Sequence, residues 1–360
     1  MIKRYLKAFV NSSPGRKLMG FIDRMKGNLF HLLSKSGRLG SIYYFLFSGA
    51  FDREYMGVMN GIIRYQRELQ SDSQSYYLLR RNTHRLEKGL LMKPRRNIFA
   101  LDYISETVDC YERAIKSHSS NPDNIGELRW AHDVLTVYFE VTGSHPIIDE
   151  ARCKFNSLRK LQPPCEDGVL YVPYKRNLSS PAPVNYEQLL ELARRRRSVR
   201  WYLPKAVPRE LIDKAIEVAS LSPSACNRQP FVFRVFDDPE MVQKVASIPG
   251  GTSGYQQNIP VIIVVVGRLR AFANERDRHL IYIDGSLAAM SLMFALETLG
   301  LSSCGINWPD LKTKEKQMAS LIGLEPDERV IMLISVGYPD PEGLVAFSQK
   351  KELDLIRKYN

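Results

Sequence analysis

Apolar residues return every three or four positions through most of the first 160 residues, the spacing of a single helical face. Between 1 and 51 the returning residues are Tyr5, Leu6, Phe9 and Val10, then Leu18, Met19, Phe21 and Ile22, then Leu29, Phe30, Leu32 and Leu33, interleaved with Lys and Arg. From 52 to 161 the pattern predicts helices over 54–70, 73–90, 102–118, 123–142 and 147–160, an all-α region. The fourth sets Leu128, Ala131, Leu135, Tyr138 and Phe139 on one face and stops at Gly143. Periodicity then disappears over 162–184, QPPCEDGVLYVPYKRNLSSPAPV, whose prolines predict a linker.

From 185 the texture is mixed α and β. Helices are expected over Tyr186–Arg197 and 208–220, with Pro208 at the first helical position. Strands follow at Phe231–Phe236 and at the β-branched Pro260–Gly267. A long Ala/Met/Leu-rich helix spans Asp277–Leu299, then a strand at 301–306, a helix at 313–322 and a strand at 329–337. The organisation expected is a basic amphipathic arm (1–51), a helical region (52–161), a linker (162–184) and a mixed domain (185–360).

Charge refines this division. The formal net charge is +12, and nine basic residues against the single acid Asp23 place most of it within the first 40 residues: Lys3, Arg4, Lys7, Arg16, Lys17, Arg24, Lys26, Lys35 and Arg38. Arg194–Arg197 forms a second knot. Basic helices with an apolar face can lie on an anionic membrane, and they also pack on a protein body with the charges solvated. No aromatic RNA-binding platform or helix-turn-helix accompanies the charge, so nucleic acid is not an expected partner. The run Ile42–Phe51 is about half the roughly 20 residues that a spanning helix needs, so none is expected. The start lacks the pattern of a cleaved signal. Five scattered cysteines without a CxxC pair fit free thiols in a reducing compartment. The expected location is therefore cytoplasmic, with the arm at the inner face of a membrane.

Four stretches carry candidate chemistry. In RRRRSVRWY (194–202), guanidiniums and a hydroxyl within a few residues suit a phosphate, although a basic helix end also complements the helix dipole. In SPSACNRQPF (222–231), small residues let the backbone approach a flat ligand, and the amides of Asn227 and Gln229 match a heterocycle's donors and acceptors. The same residues equally build a plain loop. GLSSCGINWPD (300–310) offers backbone beside the side-chain-free Gly305 that could lie along a ring edge, and equally reads as a core edge strand. Lys350 and Lys351 add charge near the end. Cys226 reads as a small filler, and the pair His84 and Glu87, three apart, as a polar contact rather than metal ligands. No metal site is expected.

Taken together, the stretches resemble the nitroreductase family of flavoproteins, in the same order along the chain. The resemblance rests on Arg196, Arg197, Ser198 and Arg200; on Pro223, Ser224, Asn227, Gln229 and Pro230; on a helix from Asp284 to Leu299; and on Ile334, Gly337, Tyr338 and Pro339. It covers about 185–360. It implies an α+β fold with an antiparallel-based sheet flanked by helices, and FMN in the interface of a homodimer. Arg196, Arg197, Ser198, Arg200 and Lys350 would hold the phosphate and ribityl groups. Pro223, Ser224, Ala225, Asn227 and Gln229 would reach the flavin ring from the partner subunit, and backbone near Ile306 and Asn307 would face its N5 edge.

The implied activity is oxidoreduction with NAD(P)H as transient donor and a small organic acceptor, by a ping-pong mechanism. The flavin carries the chemistry, so no side-chain acid or base is required. The alternative from another class is an accessory protein that binds or sequesters FMN with little turnover.

Overall fold

The structure is a computed structural model that describes residues 13–70, 76–117, 125–158, 161, 163, 168–176 and 178–360. The basic residues Lys3, Arg4 and Lys7 lie outside them. The chain forms two units, residues 1–56 and 57–360. The first holds α1 (Ser13–Leu33) and α2 (Gly37–Tyr43), followed by a π-turn at Tyr44–Ser48. On α1, Phe21, Met25, Leu29 and Leu32 recur at one-turn spacing and are all exposed. Ile42, Phe45, Leu46 and Phe47 are exposed too, Phe45 at 79% and Phe47 at 76%.

The helical region continues through α3 (Asp52–Gln70), α4 (Tyr77–Leu90), α5 (Ile104–Ser117), α6 (Ile125–Val141) and α7 (Pro146–Ser157). All five fall within about a turn of the helices read from periodicity. Their apolar faces meet in one core, with Leu86, Ile104, Val108, Leu128, Leu135, Tyr138 and Ile148 fully buried. α3 approaches a neighbour closely through glycines: a Cβ on Gly61 would sit 2.7 Å from that of Leu269. The Pro-rich stretch is tied to α6 by the Tyr171 N–H, which donates to Asp133 at 2.9 Å, and by the Arg129 guanidinium stacked 4.2 Å over the Tyr171 ring.

The mixed half contains α8 (Tyr186–Arg195), α9 (Arg209–Ser220), β1 (Phe231–Phe236), α10 (Pro239–Ser247), β2 (Val261–Arg268), α11 (Leu280–Thr298), β3 (Ser302–Asn307), α12 (Lys312–Ile322), β4 (Glu328–Gly337) and a short α13 (Leu353–Ile356). The four strands form one antiparallel sheet in the order β1-β2-β4-β3. β2 is buried on both faces, as its unbroken β-branched run dictates. Ile262, Val264 and Val266 pack toward α10 and α12, while Val261, Ile263 and Val265 pack toward α9 and α11. The fold is α+β, a small antiparallel sheet flanked by helices and preceded by a helical region.

Local differences from the sequence reading have identifiable causes. α10 is an additional helix, started by Asp238, whose carboxylate accepts the Met241 N–H at 3.0 Å, and by Pro239 in the first turn. Pro208 caps α9 from outside rather than occupying its first turn. α11 begins at Leu280, after a separate 3₁₀ turn at Glu275–Asp277, so Asp284 sits in its second turn and is buried. By length and composition this stretch could cross a membrane. Here it buries Ala288, Ala289 and Leu292 in the core and leaves Ile283 and Leu287 exposed one turn apart.

Candidate functional site

α8 opens on a reciprocal cap: the Gln188 N–H donates to Asn185 Oδ1 at 2.8 Å and the Asn185 N–H donates to Gln188 Oε1 at 3.0 Å. It stops at Arg195, two residues before the expected end, because the chain straightens at Arg196 to run beside β3. Ser198 bridges Ser303 in parallel, and the Val199 N–H donates to the Ser303 carbonyl at 3.1 Å. Arg196, Arg197, Ser198 and Arg200 therefore line an extended segment along the sheet edge rather than a helix end. Two polar atoms in this strip are sealed from solvent without a hydrogen-bond partner, Arg196 Nε and Ser303 Oγ.

Arg197 brings the C-terminal segment to this strip: its Nη2 donates to the Ala346 carbonyl at 2.6 Å and to that of Phe347. Lys350, exposed, follows three residues beyond, in a tail without strand structure. Arg200 is exposed and lies 5.9 Å from the centre of the Tyr255 ring. Burial raises the Cys304 thiol pKa, opposed by Arg200 and by the Ser198 hydroxyl. Tyr255 is missing from the sequence reading, since an aromatic in the loop PGGTSGYQQN carries no local sign of meeting Arg200.

β3 is an edge strand, and its pairing fixes which backbone groups are free. Ser303 spends its carbonyl outward on Val199, so Gly305 and Asn307, two and four residues on, also point away from β4. Ile306 points inward and its side chain is 5% exposed in the core. The edge thus offers the backbone of Gly305 and Asn307, where Ile306 and Asn307 were expected. Asn307 lies four residues from Ser303, about 13 Å at strand spacing.

The loop 222–230 is held largely by itself and by two distant helices. Ser224 Oγ accepts the Gln229 N–H at 3.0 Å, and the Ser224 carbonyl accepts the Asn227 N–H at 2.9 Å. The Ala225 N–H donates to Asp284 Oδ2 at 3.0 Å, and burial raises the pKa of that carboxyl. Cys226, Asn227 and Gln229 are all left-handed, at φ 52°, 51° and 49°. Arg80 on α4 clamps this conformation: its Nε–H donates to the Asn227 carbonyl and its Nη2–H to Gln229 Oε1, both at 2.8 Å, while Nη1 pairs with Glu127. Gln229 Nε2 donates to the Ser220 carbonyl at 2.6 Å, so both ends of this amide are engaged within the chain. Pro223 is exposed, and Asn227 is half-buried.

Within one chain the two clusters lie far apart. The loop enters β1 at Phe231, level with Gly267 and Arg329, whereas Ser198 and Ser303 lie beyond the opposite edge, level with Val336. Strand spacings put them about 19 Å apart across the sheet and roughly 20 Å along it. Among the described residues no hydrogen bond, ion pair or ring contact joins them. His84 Nδ1 lies 3.4 Å from Glu87, which also accepts from Trp130 at 3.0 Å, an interhelical polar contact. Among the described residues no cluster of His, Cys, Asp and Glu could hold a metal ion.

The strip of basic and hydroxyl groups leads to bare edge backbone on a helix-flanked antiparallel sheet. Comparison with known proteins gives the class. The family model described as "Nitroreductase family" matches residues 193–338. A relative from Archaeoglobus fulgidus, whose name pairs NADH dehydrogenase with NAD(P)H nitroreductase, is 30% identical over 157 residues, covering 43% of this chain and 88% of that protein. Iodotyrosine deiodinase 1 of Homo sapiens is 26% identical over 228 residues, covering 53% of this chain and 75% of its own length. Among solved structures, an FMN-dependent nitroreductase from Clostridium difficile R20291 aligns at 24% identity and a TM-score of 0.41, over 48% of this chain and 99% of that one. The chain belongs to the nitroreductase family, and with it to the oxidoreductases.

Proposed function

We propose that the chain is an FMN-dependent oxidoreductase that takes hydride from NAD(P)H and reduces a small conjugated organic acceptor by a ping-pong mechanism. The observation that carries this reading is the pair of sealed, unpartnered polar atoms, Arg196 Nε and Ser303 Oγ, beside Ser198 and Arg200. Buried polar groups are nearly always hydrogen-bonded, so two such atoms side by side fit a strip that receives a polar ligand. Arg196, Arg197, Ser198, Arg200 and Lys350 are the groups to hold a phosphate dianion. The ring edge falls on the Gly305 and Asn307 backbone, whose N–H groups donate where negative charge develops. When bound, FMN supplies the hydride-accepting and hydride-donating chemistry; the chain orients it and admits donor and acceptor in turn to one face.

The separation of the two clusters favours a homodimer in which each site combines the Arg/Ser strip of one copy with the loop Pro223, Ser224, Ala225 and Asn227 of the other. Exposed Ile283 and Leu287 on α11 supply an apolar surface for that pairing. The purified protein should show flavin absorbance near one FMN per chain and be reduced by NADH or NADPH in anaerobic stopped flow. No flavin after reconstitution defeats the cofactor assignment. A bound flavin that stays oxidised leaves the FMN-sequestering reading instead. Two inactive variants, Arg200→Ala and Asn227→Ala, should regain about a quarter of wild-type turnover on random re-pairing if each site is shared by two copies, and none if each chain builds its own.

Residues 1–51 we read as a peripheral contact with an anionic membrane. The exposed stripe of Phe21, Met25, Leu29 and Leu32, beside the exposed Lys17 and Arg24, supports it. Deleting 1–50 should abolish sedimentation with phosphatidylserine vesicles; unchanged binding rejects the reading.

A further inference from the structure

Arg228 stands between Asn227 and Gln229 in the loop, and the flavin reading gives it no task. Its side chain runs inward and the residue is 9% exposed. Its Nε is sealed from solvent without a hydrogen-bond partner, and its guanidinium rests 4.9 Å over the Phe272 ring. Among the described residues no carboxylate lies within ion-pairing distance of it. Nearby groups act on it electrostatically, among them the buried carboxylate of Asp284, which favours its charge. Cys226, Tyr65 and Asp277 favour its charge too, and Arg81, itself paired with Glu106 at 3.3 Å, opposes it. A buried aspartate or lysine without a partner sheds its charge by titrating; arginine does not, so its burial calls for a counter-anion.

The space for one is present. Arg228 lines a cavity of about 400 Å³ together with Arg80 and Arg268. Two of these three charges are already matched, Arg80 by Glu127 and Arg268 by Glu328 at 3.1 Å. Arg228 has no such direct partner: Asp277 and the buried Asp284 act on it only from beyond ion-pairing distance. Ile216, Phe231 and Phe233 give the lining an apolar part, and Glu127, whose second carboxylate oxygen is buried without a hydrogen-bond partner, lies at the Arg80 side. A volume of this size, part apolar and part charged, with one guanidinium that lacks a direct partner, suits a small molecule gripped at one end by its charge.

We propose that this cavity binds a small organic anion, a carboxylate or phosphate carried on an apolar body, with Arg228 as its counter-charge. The site faces Arg80 and the loop it clamps, so occupancy tightens the same segment that Arg80 holds.

The test is calorimetric titration of the full chain, purified with its cofactor, at fixed ionic strength. The probes are benzoate and phenyl phosphate, with uncharged benzamide as control. At least one anion should bind once per chain and benzamide should not. Arg228→Met should weaken that binding at least tenfold, and Arg228→Lys, which keeps the charge but loses the fork, should weaken it less. Without anion, Arg228→Met should melt above the wild type, because it removes an unpaired buried charge; adding the anion should raise the wild-type Tm and leave the variant's unchanged. If Arg228→Met does not fold, the Arg228→Lys titration and the wild-type Tm shift decide. Neither anion binding, benzamide binding equally well, or binding that survives Arg228→Met but disappears in Arg200→Met would each overturn the proposal.

Discussion

Replacing Arg80 by Met should loosen the loop 222–230 and weaken FMN binding about a hundredfold, though Arg80 belongs to neither proposed cofactor cluster. Three non-glycine residues of the loop are left-handed, Cys226, Asn227 and Gln229. Each costs roughly 1–2 kcal/mol, Asn at the low end, so the loop stores about 3–5 kcal/mol. Arg80 opposes this with two hydrogen bonds from a charged donor, each worth about 1.5–3 kcal/mol. Strain and clamp are therefore of the same size, and the clamp decides which conformation is populated. Methionine keeps the length of the stem but removes both bonds. A bias of about 3 kcal/mol toward the relaxed loop leaves under roughly 1% of molecules competent, which raises the apparent Kd about a hundredfold. Arg80→Lys, able to reach one acceptor but not both, should fall between.

The assay is titration of apo-protein with FMN, followed by quenching of flavin fluorescence, alongside amide hydrogen exchange across 222–230. Exchange in the loop should accelerate by a factor similar to the loss of affinity, a readout that needs no flavin. If Arg80→Met binds FMN within about threefold of wild type and its loop exchanges at the wild-type rate, the strain-and-clamp reasoning is wrong.

Gly305→Val should abolish flavin retention with little change in Tm, because a Cβ there meets nothing nearer than the Met293 sulfur at 4.0 Å yet projects from the bare edge of β3; loss of both together would indicate a packing role. Burial pushes the Cys110 thiol up to about 11 from an ordinary 9.0, and raises Cys304 as well, so at pH 8 iodoacetamide should modify exposed Cys153 well before either, read by peptide mass spectrometry. The unfolded thiol of Cys110 ionises near 9 while the folded one holds its proton to about 11; stability should fall as pH rises through that window, a slope that Cys110→Ser should flatten in urea melts. Asp327→Ala should cost about 3 kcal/mol in denaturant unfolding, since Arg270 Nε and Nη2 both donate to this carboxylate at 2.7 Å and the buried guanidinium would keep only Glu328, 3.5 Å from Nη2 and shared with Arg268; a loss under about 1 kcal/mol would contradict that.

What could be read from the sequence was whatever repeats at short range. β2 follows from an unbroken β-branched run, and the helices of 52–161 from apolar residues three and four apart, because burial of one face imposes that period wherever it acts. Boundaries failed where a long-range pairing overrode local preference. Arg196 and Arg197 continue a helical pattern, yet Ser303 on the edge strand draws the chain straight. α10 has a readable start in Asp238-Pro239-Glu240, a cap followed by Pro and an acid, but its nine residues hold too few turns for the apolar period to stand out.

The site divides in the same way. Charge is compositional, so the strip Arg196–Arg200 is visible as a knot of basic residues. Conformation of the loop is not, because Cys and Gln have no preference for left-handed backbone, and neither predicts it by type. The cause sits 147 residues upstream, where Arg80 looks in sequence like one of several solvated bases on a helix. Its partners require a carbonyl and an amide placed by strain, and the strain requires Arg80, so neither half is legible alone. The helices that precede the family's matched segment thus set the shape of the loop carrying its motif. On that argument, a chain shortened to residues 185–360 would keep every proposed cofactor contact and still hold FMN poorly.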